Sequence, residues 1–198
     1  MIRTIGLIPS VIERRNSNNL IIDNNLIKFL RKCFPKYKLQ ILIGDKKTNN
    51  LDLVISPGGN SIVSINSSKV NKYRKILDEY YFKYSLKKDI PYLGICHGAQ
   101  YIAKFYKSKI IKKNKHTKNN HLIYFNSIKK SQVVNSYHDY SITKLGKNLD
   151  VIAYTKDGSI EAFQHKEKKI LGIMWHPERY KKIKKFDLQF LNKYLWTL

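Results

Sequence analysis

Cys96 sits in Gly94-Ile95-Cys96-His97-Gly98-Ala99-Gln100, with a glycine two positions away on either side. An apolar run, Ile90-Pro91-Tyr92-Leu93-Gly94-Ile95, leads into it, and a helical pattern from His97 to about Tyr106 leads out. The pattern G-x-C-x-G is the thiol form of the strand–nucleophile–helix elbow. A nucleophile on such a turn stands above a sheet in a strained backbone conformation, and the flanking glycines let neighbouring backbone pass without a Cβ clash. The following helix points its positive end at the sulfur, which favours thiolate, and the His97 amide faces the place where an oxyanion would form. A second group, Trp175-His176-Pro177-Glu178, follows the apolar run from Ile170 to Met174. A histidine with a carboxylate two residues on, across a φ-fixing proline, suits a base whose tautomer is set by a neighbouring acceptor. The third, Pro57-Gly58-Gly59, offers backbone free of side chains that can aim an amide at an oxyanion. Singly, each has a plain structural reading: a buried cysteine in a tight turn, a histidine in a turn, a glycine turn. Jointly they point to cysteine acyl transfer, because each falls at the carboxyl end of a predicted strand, where open α/β sheets place ligands.

The elements that must position them follow from periodicity. Thr4 to Ile8, Lys38 to Ile43, Leu51 to Ser56 and Ile90 to Ile95 read as strands, and Asn24 to Cys33 as a helix with Leu26, Ile27, Leu30 and Cys33 on one face, so Cys33 reads as core packing. Val70, Tyr73, Leu77, Tyr80 and Tyr84 recur at helical spacing, which predicts an amphipathic helix from Ser67 to Lys87 covering the sheet. Strand and helix alternate in this half, implying right-handed crossovers and a parallel sheet. After Lys107 the runs shorten, at Ile123 to Phe125, Gln132 to Asn135, Val151 to Tyr154, Ile160 to Gln164 and Ile170 to Met174, with turns such as Lys156-Asp157-Gly158-Ser159 between them. Antiparallel additions to the sheet are expected there. Phe186 to Leu195 reads as a closing helix, and Lys112 to Asn120 as a mobile loop. The expectation is an α/β fold, an open and mostly parallel sheet flanked by helices, in one domain over residues 1–198.

The composition, 42% hydrophobic and 12% aromatic, excludes wholesale disorder despite Lys+Arg 38 against Asp+Glu 14 and a net charge of +24. No apolar run suits a membrane span and the start is too short for a signal peptide, so a cytoplasmic protein with no membrane partner is expected. Two cysteines exclude a disulfide scaffold. The positive excess favours polyanions and anionic substrates. The lysines are spread over the whole chain and no nucleic-acid signature accompanies them, so genome bias explains them equally well and nucleic acid is not an expected partner. The spacing of His116 and His121 with His97 fits no structural zinc pattern; no metal and no cofactor are expected.

Five stretches together resemble the class I glutamine amidotransferase-like superfamily, and within it the γ-glutamyl hydrolase type. They are Ser56-Pro57-Gly58-Gly59, the Gly94–Gln100 elbow, Val134-Asn135-Ser136-Tyr137-His138, Gly158-Ser159-Ile160-Glu161-Ala162 and Leu171-Gly172-Ile173-Met174-Trp175-His176-Pro177-Glu178, in family order. The resemblance implies a flavodoxin-like architecture, with Cys96 as nucleophile, His176 as general base and acid, and Glu178 as its orienting carboxylate. It implies an oxyanion hole from the amides of Gly59 and His97. Substrate binding would fall to Gly58, Asn60, Gln100 and the Ser136-Tyr137-His138 stretch. Two departures stand out: Phe105 to Ile110 replaces a Gly-Gly-x-Leu stretch, and Asp139-Tyr140 stands where a glutamine commonly follows the histidine. The implied activity is hydrolysis of a small-molecule γ-glutamyl amide through a glutamyl thioester. Hydrolases of this type act on varied amines, one kind on a γ-glutamyl-CDP-amidate of capsule synthesis. Lys112, Lys113, Lys115, Lys118, Arg179 and Lys181 near the cleft suggest an anionic leaving group. The alternative is a glutaminase subunit that supplies ammonia to a partner synthase, which requires a separate protein; the other is an idle basic binding module. A homo-oligomer is left open.

Overall fold

The computed structural model describes residues 3–44, 50–113, 116–127 and 129–196, without the side chains of Lys118 and Trp196. In chain order the first half contains β1 (Arg3–Leu7), β2 (Ser10–Arg14), β3 (Ser17–Ile21), α1 (Asn24–Cys33), β4 (Tyr37–Ile41), β5 (Leu53–Ser56), α2 (Lys69–Lys88), β6 (Tyr92–Ile95) and α3 (His97–Phe105). The second contains β7 (Lys109–Lys112), β8 (Thr117–Phe125), β9 (Ser131–Tyr137), β10 (Tyr140–Lys144), β11 (Leu149–Thr155), β12 (Ile160–His165), β13 (Ile170–Ile173), a 3-10 turn at Pro177–Arg179 and α4 (Lys185–Trp196).

Five parallel strands in the order β4-β1-β5-β6-β13 form the spine, and β12, β11, β8 and β9 continue it antiparallel. The expected mixture of parallel sheet and antiparallel additions is the one found. The central strands β5, β6 and β13 are buried at every residue and almost wholly apolar because both faces are covered, whereas the edge strand β4 keeps the polar Lys38 and Gln40. In β5, Leu53 and Ile55 join the cluster under α1 and α4, with Phe29, Leu30, Phe190 and Leu191. Val54 between them joins the opposite cluster under α2 and α3, with Leu77, Phe82, Ile102 and Ala103. α1 starts where Asp23 Oδ1 accepts from the Asn25 amide at 2.8 Å and ends with Arg31 and Lys32 at its negative pole, ahead of Pro35.

Three expectations are corrected. The β2–β3 hairpin was not foreseen, its polar Ser17-Asn18-Asn19 giving no strand signal, and β7 and β10 were missed for the same reason of brevity and polarity. The stretch expected as a mobile loop holds the start of β8, paired to β9 from Thr117 onward; residues 114 and 115 lie outside the described part. On α2 the buried face is wider than the expected stripe and shifted from it: Leu77 is buried and Val70, Tyr73 and Tyr84 pack partly against the core, but Tyr80 is 44% exposed, and Asn71, Arg74, Asp78, Tyr81, Phe82 and Ser85 also point inward. Among the described residues no helix is long and apolar enough to cross a membrane.

Candidate active site

The elbow is built as its sequence requires. Cys96 caps α3 with φ 49° and ψ −96°, a conformation that costs a non-glycine residue of order 1–3 kcal/mol and that the surrounding packing must hold. The packing is tight: a Cβ at Gly94 would lie 2.5 Å from the Gly98 carbonyl carbon, and one at Gly98 would run into Ser56 on β5. The glycines let α3 press against the sheet and leave Cys96 half-buried at its end.

His176 emerges from the carboxyl end of β13, next to β6 and therefore next to Cys96. Its Nδ1–H donates to Glu178 Oε1 at 2.5 Å, and its ring and the Cys96 side chain both lie against Gly58, where their charges attract each other. Burial opposes charge on both groups. It is outweighed by their mutual attraction, so the Cys96 thiol falls below its usual range and His176 rises above its own, with Glu178 supporting the imidazolium. His138 and Arg179 add to the pull on the thiol. Cys33, packed beneath α1, behaves oppositely: burial and then Asp187 push it up to about 12.

The Pro57–Asn60 loop closes over this pair. A Cβ at Gly58 would come within 2.5 Å of His176 Cε1 and 3.5 Å of Cys96 Cβ, so glycine is needed for the loop to lie against both. The amide of Gly59 belongs to this loop, and His97, first residue of α3, has an amide with no carbonyl partner inside the helix. The loop is held by its neighbours. Ser10 Oγ donates to the Gly58 carbonyl at 2.9 Å, and the Asn60 side chain pairs with both backbone groups of Val11 at 2.8 Å, as a strand would.

Beneath the loop lies a network the sequence did not reveal. Arg74 and Asp78, both fully buried on α2, are paired at 3.0 Å. Arg74 also donates to Ser56 Oγ at 2.9 Å and the Pro57 carbonyl at 2.8 Å, and Ser56 Oγ donates to Asp78 Oδ1 at 2.7 Å. The His97 ring spans Asp78 Oδ2 and the Asn60 carbonyl, each at 2.7 Å. Burial and Arg74 lower the His97 pKa, but both of these partners accept, which is the geometry of a ring with both N–H groups in place. Asp78, which burial would raise, is held below the usual carboxylate range by Arg74 and His97. The spacing of Arg74 and Asp78 by four was the available signal, and neither residue was singled out from the sequence.

The remaining expected binding residues divide. Gln100 donates to the Tyr140 carbonyl at 2.9 Å, and Ser136, fully buried, donates to the His116 carbonyl. His138 is buried and turns toward Glu161. Tyr137 is at the surface, its ring 5.5 Å from that of His176, with the Arg179 guanidinium stacked on it at 4.5 Å. Asn135, which had no assigned role, clamps His176: its side chain accepts from the His176 amide and donates to the His176 carbonyl, both at 2.8 Å. Two cavities meet at Arg179. One of about 570 Å³ borders Gly58, Gly59 and Asn60; the other, of about 350 Å³, borders Glu178 and is rimmed by Lys28, Lys32 and Lys181. Of the lysines expected at the cleft, Lys113 is tied to Asp157 at 3.1 Å, Lys112 is exposed on β7, and Lys115 and the Lys118 side chain lie outside the described residues.

A family profile for glutamine amidotransferase class-I matches residues 20–196. The chain is 39% identical over 126 residues to a gamma-glutamyl-CDP-amidate hydrolase of Campylobacter jejuni, a match covering 64% of this chain and 62%, less than two thirds, of that protein. It is 35% identical over 153 residues to anthranilate synthase component 2 of Helicobacter pylori, covering 73% of this chain and 71% of the other. Among solved structures, a GMP synthase component of Thermoplasma acidophilum superposes with a TM-score of 0.74 at 16% identity, over 98% of this chain and 93% of that one. A glutamine amidotransferase of Thermotoga maritima gives 0.66 at 16% identity, over 100% and 85%. At that identity the likeness is one of fold.

Proposed function

The chain belongs to the class-I glutamine amidotransferase family, and from that premise we propose that it hydrolyses a γ-glutamyl amide, with Cys96 as nucleophile. The observation that carries the proposal is the grouping Cys96–His176–Glu178 at the carboxyl ends of adjacent strands, with His176 hydrogen-bonded to Glu178 and electrostatically coupled to Cys96. The Cys96 thiolate attacks the γ-carbonyl, its proton resting on His176, while Glu178 stabilises the imidazolium. The tetrahedral oxyanion is met by the amides of Gly59 and His97, and both donors are preorganised by the Arg74–Asp78–His97 network below them. His176 Nε2 protonates the departing nitrogen as the C–N bond breaks, leaving a glutamyl thioester. Water, deprotonated by His176, then cleaves the thioester to free glutamate and the thiol. The side chains of Asn60 and Gln100 are engaged within the fold, so glutamyl recognition falls to the backbone of the Gly58 loop and the Ser136–His138 stretch, with Arg179 on Tyr137 as the available cation.

The leaving group in this reading is an anionic amine of the nucleotide or phosphoramidate class. The named Campylobacter relative supports it, as do Lys28, Lys32 and Lys181 around the cavity beside Glu178. A second reading, the ammonia-supplying subunit of a synthase, is favoured by the likeness to anthranilate synthase component 2. Glutamate release by the purified chain separates them. Turnover of γ-glutamyl-CDP-amidate, absent in Cys96→Ala, is the expected result; silence on every γ-glutamyl amide with glutamine cleavage only on adding a synthase would install the second reading.

A further inference from the structure

His116 and His121, set aside as metal ligands on spacing, are brought together by the fold with a carboxylate from a distant strand. His116 precedes β8, His121 lies on β8, His138 follows β9, and Glu161 projects from β12. Glu161 is fully buried, as is nearly all of the His116 and His138 side chains. His121 Nε2 lies 3.3 Å from Glu161 Oε2, His138 Nε2 3.4 Å from Oε1, and His116 Nδ1 3.7 Å from Oε1. One donor atom each from His116, His121 and Glu161 fall within 4.8 Å of one another.

None of these approaches is a hydrogen bond. His116 Nδ1, His121 Nε2, both ring nitrogens of His138 and both oxygens of Glu161 are buried without a hydrogen-bond partner. Six unpaired polar atoms in one place are unusual, since buried polar groups are almost always satisfied. The other nitrogen of His116 shows what is missing. Its Nε2 faces Asp157 Oδ2 at 3.0 Å, an acceptor, so in the neutral ring the proton resides there and Nδ1 directs a lone pair at the Glu161 carboxylate, 3.7 Å away and beyond hydrogen-bond reach. Lone pair against lone pair repels unless positive charge stands between them. Ligands about 2.0–2.1 Å from a tetrahedral metal lie about 3.3–3.4 Å from each other; the His121–Glu161 pair has that spacing at 3.3 Å, and His116, at 3.7 Å, would draw in on binding. Imidazole and carboxylate donors suit Zn²⁺ and its first-row neighbours.

We propose that His116 Nδ1, His121 Nε2 and the Glu161 carboxylate bind a divalent transition metal ion of the Zn²⁺ class, with His138 beside Oε1 orienting the carboxylate. The outer layer is already built. Asp157 holds the far nitrogen of His116, and is itself fixed by Thr155 Oγ1 at 2.6 Å and the Ser159 amide at 3.0 Å, the carboxylate–histidine support typical of metal-bound imidazole. The ion would tie β8 to β12 across β11, in the part of the sheet that carries the Ser136–His138 stretch. It lies apart from His97, whose ring is engaged by Asp78 and the Asn60 loop, and the proposal stands independently of the hydrolase reading.

The test is titration of the tag-free, EDTA-stripped chain with Zn²⁺ alone, in a Cys96→Ala background so that the thiol cannot bind the ion. The expected result is one Zn²⁺ per chain, a rise in Tm on binding, and at least 100-fold weaker binding in both His121→Ala and Glu161→Gln. Co²⁺ in place of Zn²⁺ should give the visible bands of a four-coordinate site, lost in His121→Ala. A Tm indifferent to both EDTA and Zn²⁺, or Zn²⁺ binding that survives His121→Ala, overturns the proposal. So does a cluster stabilised only by acidification, which would mean that protons alone fill the gap. His121 is the most accessible of the set, with 15% of its side chain exposed, so His121→Ala keeps the test open if Glu161→Gln fails to fold.

Discussion

At the scale of single residues, the two cysteines make the sharpest contrast. Both are half-buried, yet Cys96 faces an imidazole and a helix amino terminus, while Cys33 faces apolar side chains and the Asp187 carboxylate. Thiolate is the reactive form, so iodoacetamide should label Cys96 first and nearly alone at pH 7. Because the Cys96 pKa lies below its usual value, its labelling rate should fall off at a lower pH than that of an ordinary thiol; for Cys33, lifted to about 12, the rate should still be rising at pH 9. Peptide mapping of the alkylated chain across pH checks both, and equal labelling at pH 7 would contradict the site. Glu178 and Asn135 both hydrogen-bond to His176, so in the proposed mechanism they act through it. Glu178→Gln should lower kcat less than His176→Ala does, since a glutamine carbonyl can still accept from Nδ1–H. Asn135→Ala, which removes the clamp on the His176 backbone, should lower kcat by roughly tenfold with KM little changed. Cys96, His176 and Glu178 were legible in the sequence because their geometry is local, an elbow of five residues and a histidine two positions from its carboxylate. Asn135, 41 residues from its partner, left no such mark.

At the scale of elements, legibility tracked burial pattern. Strands covered on both faces are apolar runs and were found; β2, β3, β7 and β10 are short and polar, and were not. α2 was found but its inner face was read too narrowly: Tyr80 of the expected stripe is exposed, and Arg74 and Asp78 are buried beside Leu77. Those charges are tolerated inside only because Ser56, Pro57 and His97 satisfy them, a condition the helix alone cannot announce. α4 shows the same compromise in weaker form. Asp187 in its first turn accepts from Trp175 Nε1 at 2.9 Å, but burial raises its pKa to about 6 against an ordinary 3.8, the Trp175 bond and Lys184 offsetting only part. A raised carboxylate favours the folded state fully below its unfolded pKa, and that benefit is lost as pH climbs through 6. Asp187→Asn keeps the Trp175 acceptor and removes the buried charge. It should be more stable than the parent chain by about 1–2 kcal/mol at pH 8, with the gap closing toward pH 4. Urea unfolding at pH 4, 6 and 8 measures it, and a gap that widens toward acid would contradict the assignment.

At the scale of the whole molecule, a net charge of +24 surrounds the protein with a field that draws in anions whatever the local chemistry. The question is whether any of it is aimed. Lys113, expected at the cleft mouth, is held by Asp157, whereas Lys28 and Lys32, on a helix the sequence marked only for its apolar face, rim the cavity beside Glu178 together with Arg179 and Lys181. Genome bias scatters lysines; it does not select two exposed positions one helical turn apart on the side of α1 that meets the Pro177–Arg179 turn. Removing both in Lys28→Gln/Lys32→Gln leaves the field almost intact, since 36 of the 38 positive side chains remain. General steering would therefore barely change, and a local site would lose much of its anion affinity. The expected outcome is a roughly tenfold fall in kcat/KM for a phosphate-bearing γ-glutamyl amide at low salt, with a matched neutral amide unaffected. The difference should shrink near 1 M salt, where the Debye length is about 3 Å. Equal effects of the double substitution on the charged and neutral amides would show that these lysines are part of the general excess, and would leave the Cys96 chemistry untouched.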